Sequence, residues 1–204
     1  MEHFQLTTNL CQLLLSIILL KFSVAVDTLF PNQTITIGQT LVSQSQVFEM
    51  GFFSPGKSGN IYLGIWYKST PDVVVWVANR DEPITDSEGV VLAIAENGNL
   101  FICRDGSVVW SVNSSSGLAS NPILQLLDTG NLVCRWKIES GYIWQSFDYP
   151  TDTWLPGMKL ADDIDAGVAK YLISWKDRDD PSPGDFTFKI ENQGLPQLVM
   201  FRGE

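Results

Sequence analysis

Three tryptophans limit what this chain can fold into. Trp76, Trp110 and Trp144 each close a short apolar triplet (Val74-Val75-Trp76, Val108-Val109-Trp110, Tyr142-Ile143-Trp144), and they stand 34 residues apart in both intervals. The repeat extends on either side of the indole. Trp76-Val77-Ala78-Asn79 matches Trp110-Ser111-Val112-Asn113, and upstream Gly98-Asn99-Leu100 matches Gly130-Asn131-Leu132. A unit this short is too small to bury its own indole. The economical solution packs three units about a shared axis with the tryptophans pointing inward.

Within each unit, runs of Val, Ile, Leu, Phe, Tyr and Trp are broken by Gly, Pro, Asn, Asp and Ser, with no sustained 3.6-residue period. That pattern predicts strands. Asn97-Gly98, Asp105-Gly106 and Thr129-Gly130 are hairpin-turn candidates, because these residue types tolerate positive φ. The expected fold is all-β, a β-prism of three pseudo-symmetric antiparallel sheets. After Trp144 the repeat stops, and residues 145–157 are rich in Pro, Gly and Asp, which marks a boundary. Tyr171–Trp175 and Phe186–Ile190 read as further strands of an incomplete β-rich segment.

Charge and composition narrow the function. A formal net charge of -10 and a pI near 4.4 argue against a nucleic-acid binder, which gains affinity from clustered Lys and Arg. The apolar run Leu10–Leu20 is shorter than the roughly 20 residues of a membrane helix and is followed by small residues at Ser23 and Ala25. It predicts a removable signal over residues 1–25, a mature chain starting at Val26 with no membrane span, and secretion or display on the outer face of the plasma membrane. Removing that segment removes His3, the sole histidine, together with Cys11. Nucleophile activation by histidine and His-ligated metal sites are thereby excluded from the mature chain. No catalytic residue, cofactor or metal is expected, and Asp162-Asp163-Ile164-Asp165 with Gly167 lacks the later carboxylate of a calcium loop.

Three blocks together carry a resemblance: Phe48-Glu49-Met50-Gly51-Phe52-Phe53-Ser54-Pro55-Gly56, Tyr62-Leu63-Gly64-Ile65-Trp66-Tyr67 and Val74-Val75-Trp76-Val77-Ala78-Asn79-Arg80. They resemble the bulb-type (mannose-binding-like, G-type) lectin domain of plant S-domain receptor-like serine/threonine kinases. The stretch from Trp144 to Leu160 and that from Ser174 to Phe186 resemble the start of the S-locus glycoprotein region. The resemblance implies residues 1–25 as signal, 26–146 as lectin domain and 147–204 as the beginning of the S-locus-like region. It implies a kinase only downstream, since Gly184-Asp185-Phe186 has the wrong order for a kinase motif. The chain therefore reads as a truncated, non-enzymatic ectodomain.

Mannose-binding members of that family carry Gln-x-Asp-x-Asn-x-Val-x-Tyr, whose alternate residues share one face of a strand. Here one copy falls on Ala95, Asn97, Asn99, Phe101 and Cys103, and a second on Leu127, Thr129, Asn131, Val133 and Arg135. A copy near Asn60–Tyr67 is degenerate. The carbohydrate-binding candidates are accordingly Asn97, Asn99, Thr129, Asn131 and Val133. With the Gln, Asp and Tyr lost, mannose binding of the family type is expected to be weak or absent. The alternative role for Asn97, Asn99, Asp128 and Asn131 is to build the hairpin turns.

Cys103 and Cys134 lie four and three residues after Asn99 and Asn131, so they should face opposite sides of their strands, which argues against a disulfide. Asn32-Gln33-Thr34 and Asn113-Ser114-Ser115 are glycosylation sequons. The expected partners are a glycan or glycoprotein ligand or a receptor ectodomain. The alternatives are a protein-contact or dimerisation module that has lost sugar binding, and the N-terminal fragment of a complete receptor kinase.

Overall fold

A computed structural model describes residues 26–112, 121–137, 141–163, 168–192 and 195–203. The predicted signal and Asn113 lie outside the described residues, as do Ile164, Asp165 and Gly167 of the acidic string. No helix among the described residues is long and apolar enough to cross a membrane.

The architecture is all-β. Three short strands come first: β1 (Thr28–Leu29), β2 (Thr34–Thr36) and β3 (Thr40–Val42). Three meanders follow. The first is β4 (Phe48–Phe53), β5 (Tyr62–Tyr67) and β6 (Thr70–Val77); the second is β7 (Val90–Ile94), β8 (Leu100–Arg104) and β9 (Ser107–Val112); the third is β10 (Pro122–Leu126), β11 (Leu132–Trp136) and β12 (Trp144–Gln145). Each meander acquires one early strand at its edge, giving four-stranded antiparallel sheets ordered β3-β4-β5-β6, β2-β7-β8-β9 and β1-β10-β11-β12. The N-terminal stretch thus crosses all three sheets in turn and closes the prism.

The repeat is visible in the register. Met50–Ile65–Trp76, Leu92–Ile102–Trp110 and Leu124–Cys134–Trp144 are cross-strand rows at equivalent places in the three sheets. Their inner side chains form one core. Cys134 therefore fills the place that isoleucine fills twice, and burial pushes its thiol up to about 12. The indoles do not all meet. Trp76 and Trp144 pack edge to face with centroids 6.0 Å apart, whereas Trp110 is only half-buried. The difference lies in the cover: Tyr149 stacks on Trp144 and its carbonyl accepts the Trp76 Nε1–H at 2.8 Å, and among the described residues no ring does the same for Trp110.

A 3-10 turn at Ser146–Asp148 follows β12, and Phe147, Leu155 and Met158 join the core of the prism. Beyond them lie the hairpin β13 (Ala161–Asp163) and β14 (Val168–Lys170) and a sheet of β15 (Leu172–Asp177), β16 (Asp180–Glu191) and β17 (Gln197–Arg202). Arg80 pins this last sheet to the prism. Arg80 is 8% exposed, and its guanidinium donates to the carbonyls of Pro181 (2.8 Å), Ile173 (3.2 Å) and Ser174 (2.9 Å).

Candidate functional site

Since Ile65, Ile102 and Cys134 are equivalent, the residues three before them, Tyr62, Asn99 and Asn131, occupy one pseudo-symmetric position on the outer faces. The next outward positions are Gly64, Phe101 and Val133, then Trp66, Cys103 and Arg135. This register resolves the degenerate first copy, and it shows that the three faces have diverged.

The first sheet's outer face is covered by aromatic side chains. Tyr62 and Trp66 are buried, and Phe53 lies with its ring 6.2 Å from that of Trp66 and 6.4 Å from that of Trp175, which β15 contributes. Gly64 is what makes room, because a Cβ there would come within 2.5 Å of the Phe53 ring.

The third face is polar but closed on itself. Asn131 is buried and fully engaged: its Nδ2–H donates to Gln145 Oε1 at 2.9 Å, and its Oδ1 accepts from Ser146 Oγ and from the Phe147 N–H, both at 3.2 Å. Ser146 in turn accepts the Leu132 N–H at 2.9 Å, just as Asn79 accepts the equivalent Leu63 N–H at 2.9 Å. Asn131 therefore holds the 3-10 turn against the prism. Val133 is 0% exposed, within a network in which Arg135 donates to Gln125 Oε1 (Nη2, 3.0 Å) and Gln125 Nε2–H donates to Asp27 (2.9 Å). Thr129 stands exposed in the turn, its hydroxyl accepting the Asn131 N–H at 3.4 Å.

The second face is the open one. Two rows cross it: Thr34–Ala93–Phe101–Ser111 and Thr36–Val91–Cys103–Val108. Their residues are half-buried or exposed, and none is charged. At its end Asn97 Oδ1 accepts the Asn99 N–H at 3.1 Å, within a turn closed by the Gly98 N–H to the Ala95 carbonyl at 2.9 Å. Asn97 is thus a turn-former as well as an exposed side chain. Cys103 points outward and Cys134 inward, and both thiols are free.

Two ties secure these faces. Asp128, in the turn before Thr129, accepts the Ser45 N–H at 2.7 Å and the Ser45 hydroxyl at 2.8 Å, joining the third sheet to the β3–β4 turn. The Ser45 backbone bond, followed by its hydroxyl bond, holds the Asp128 carboxyl below its ordinary value. Near Arg80, burial raises the Asp152 carboxyl, opposed by a hydrogen bond from Thr151. Asn32 stands exposed on a turn with φ of 73°.

Sequence reasoning missed the Asp27–Gln125–Arg135 network, the Arg80 clasp and a cleft of about 530 Å³ at the tryptophan end of the prism, between the repeat and the junction. Their only sequence signal is Arg80 itself, a charge placed directly after a core block. The network and the cleft depend on residues far apart in the chain.

A family model described as D-mannose binding lectin matches residues 73–176, which include all three repeat tryptophans. A receptor-like serine/threonine-protein kinase, SD1-8 of Arabidopsis thaliana, is 43% identical over 190 residues, covering 90% of this chain and 22% of the kinase. The S-locus-specific glycoprotein S6 of Brassica oleracea is 42% identical over 200 residues, covering 94% of this chain and 46% of the glycoprotein. The chain thus spans less than half the length of either relative. Among solved structures, the Polygonatum cyrtonema lectin complexed with monomannoside aligns with a TM-score of 0.44 at 19% identity, over 57% of this chain and 94% of that one.

Proposed function

The chain belongs to the D-mannose binding lectin family, and from that premise we propose that it is an extracellular recognition module that binds a carbohydrate or glycoprotein through the outer face of its second sheet. The observation that carries this reading is the divergence of the three faces. The first is covered by Phe53, Trp66 and Trp175, and the third has spent Asn131 and Gln125 on internal bonds. Among the described residues, the second face is the one whose Asn99 position and neighbouring Phe101 ring are half-exposed. An aromatic ring beside an amide suits a sugar, which offers an apolar C–H face and a rim of hydroxyls. Thr129, Asn131 and Val133 are left out of the site.

The reading assigns residues 26–146 to the lectin unit and 147–204 to the start of an S-locus-like region, with no catalytic role in either. Secretion through the signal over residues 1–25 is part of the same proposal. The test is a glycan array on the secreted product, run with Asn99→Ala and Phe101→Ala alongside. Binding that both substitutions abolish supports the reading, and binding that neither changes overturns it. A protein contact is the second reading, favoured by the uncharged rows through Val91 and Cys103; a blank array with capture of a partner ectodomain by the same face would establish it.

A further inference from the structure

We infer that the cleft at the tryptophan end of the prism is a second binding site, for a pyranose ring of a neutral saccharide. This inference shares the ligand class of the sheet-face reading but uses a different surface. The cleft's two walls come from distant parts of the chain: Trp110 and Asp81 from the repeat, and Asp148, Tyr149 and Tyr171 from the junction. At about 530 Å³ it falls within the size range of small-molecule sites.

The lining has the two chemistries that a pyranose needs. Tyr149 is 58% and Tyr171 39% exposed, and Trp110 is half-exposed, so aromatic surface stands open to the apolar face of a ring. Asp81 and Asp148 offer carboxylate oxygens, which accept from hydroxyls more strongly than neutral acceptors do. Asp148 is oriented in advance, because Lys170 and Gln145 both donate to its carboxylate. Among the described lining residues Arg80 is the one cation, and it is committed to three carbonyls, while Lys170 behind the wall is paired with Asp148, which disfavours an anionic ligand. The Trp144 Nε1–H on the same wall is buried without an acceptor among the described residues. The equivalent donor of Trp76 is spent on the Tyr149 carbonyl.

The test titrates the secreted chain with neutral methyl glycosides, beginning with methyl α-D-mannopyranoside and methyl β-D-glucopyranoside, and follows tryptophan emission. The expected result is a saturable change with at least one probe. Tyr171→Ala and Asp81→Asn should each weaken it about tenfold, the size of one lost contact to a charged or aromatic group, at an unchanged thermal midpoint. Glu88→Gln, exposed on a loop outside both surfaces, should leave it unaltered. No change with any probe, or both cleft variants within twofold of the parent, overturns the inference. Sensitivity to Asn99→Ala alone overturns it too, while leaving the sheet-face reading intact.

Discussion

The Arg80 clasp yields a prediction whose size follows from local geometry. The ladder between β15 and β16 shifts register twice, between Ile173 and Trp175 and between Trp175 and Asp177. Pro181 and Pro183 of β16 have no N–H to give it. Neither proline can donate to a ladder carbonyl, and the Arg80 fork donates to three carbonyls of the two strands. Arg80→Met keeps much of the packing and removes all three donors. Each hydrogen bond to a charged group contributes about 1.5–3 kcal/mol, but the three share one side chain and do not add. A buried carbonyl left unsatisfied costs about 1–3 kcal/mol, and because the substitution also removes a buried charge we take about 3 kcal/mol for the set. At about 2–4 °C per kcal/mol for a chain of this size, the midpoint should fall by on the order of 10 °C. Differential scanning calorimetry gives the midpoint, and limited proteolysis should show new cuts within 147–177. Arg80→Lys, with a point charge in place of a planar fork, should recover only part of the loss. A fall of less than 2 °C for Arg80→Met would show that the last sheet is held by other contacts.

Three further outcomes are expected. Asp128 has a folded pKa below its unfolded value, so its stabilising contribution is complete above pH 3.8 and is lost as pH falls from there through the folded value; Asp128→Asn should flatten that part of a stability-versus-pH curve, and an unchanged slope would contradict the tie to Ser45. Thiol labelling followed by mass mapping should modify Cys103 in the native protein and reach Cys134 only on unfolding, since Cys134 is 0% exposed and its thiol, pushed up to about 12, is not ionised; fast labelling of Cys134 would refute its core placement. Asn131→Ala should destabilise the fold by about 2 kcal/mol through unpaired Gln145 and Ser146 groups, measured by urea denaturation, and a loss of ligand binding at unchanged stability would return Asn131 to the site.

What the sequence could disclose depends on which positions the core constrains. The tryptophan spacing is legible because each indole sits opposite an inner pair, Met50–Ile65, Leu92–Ile102 or Leu124–Cys134, that must be apolar whatever the outside does. Outer positions obey no such rule, since their environment is set by whatever segment lies over them. Asn99 and Asn131 look alike in sequence, each following glycine and preceding leucine. Yet one is half-exposed and the other is buried by a turn that begins 15 residues downstream. Gly64 and Val133 are likewise readable only once Phe53 and the Gln125 network are in place. Three copies of one scaffold can therefore stay recognisable to the same inner pattern while their outer faces take up separate work: one buried under the following sheet, one anchoring the junction, and one left open to solvent. Substitutions at outward-facing aromatic residues of two faces should separate these roles. Phe101→Ala should cost little stability, whereas truncating Trp66, which is buried one outward position further along the covered face, should cost about 3–5 kcal/mol, and equal costs at both positions would deny that the faces have diverged.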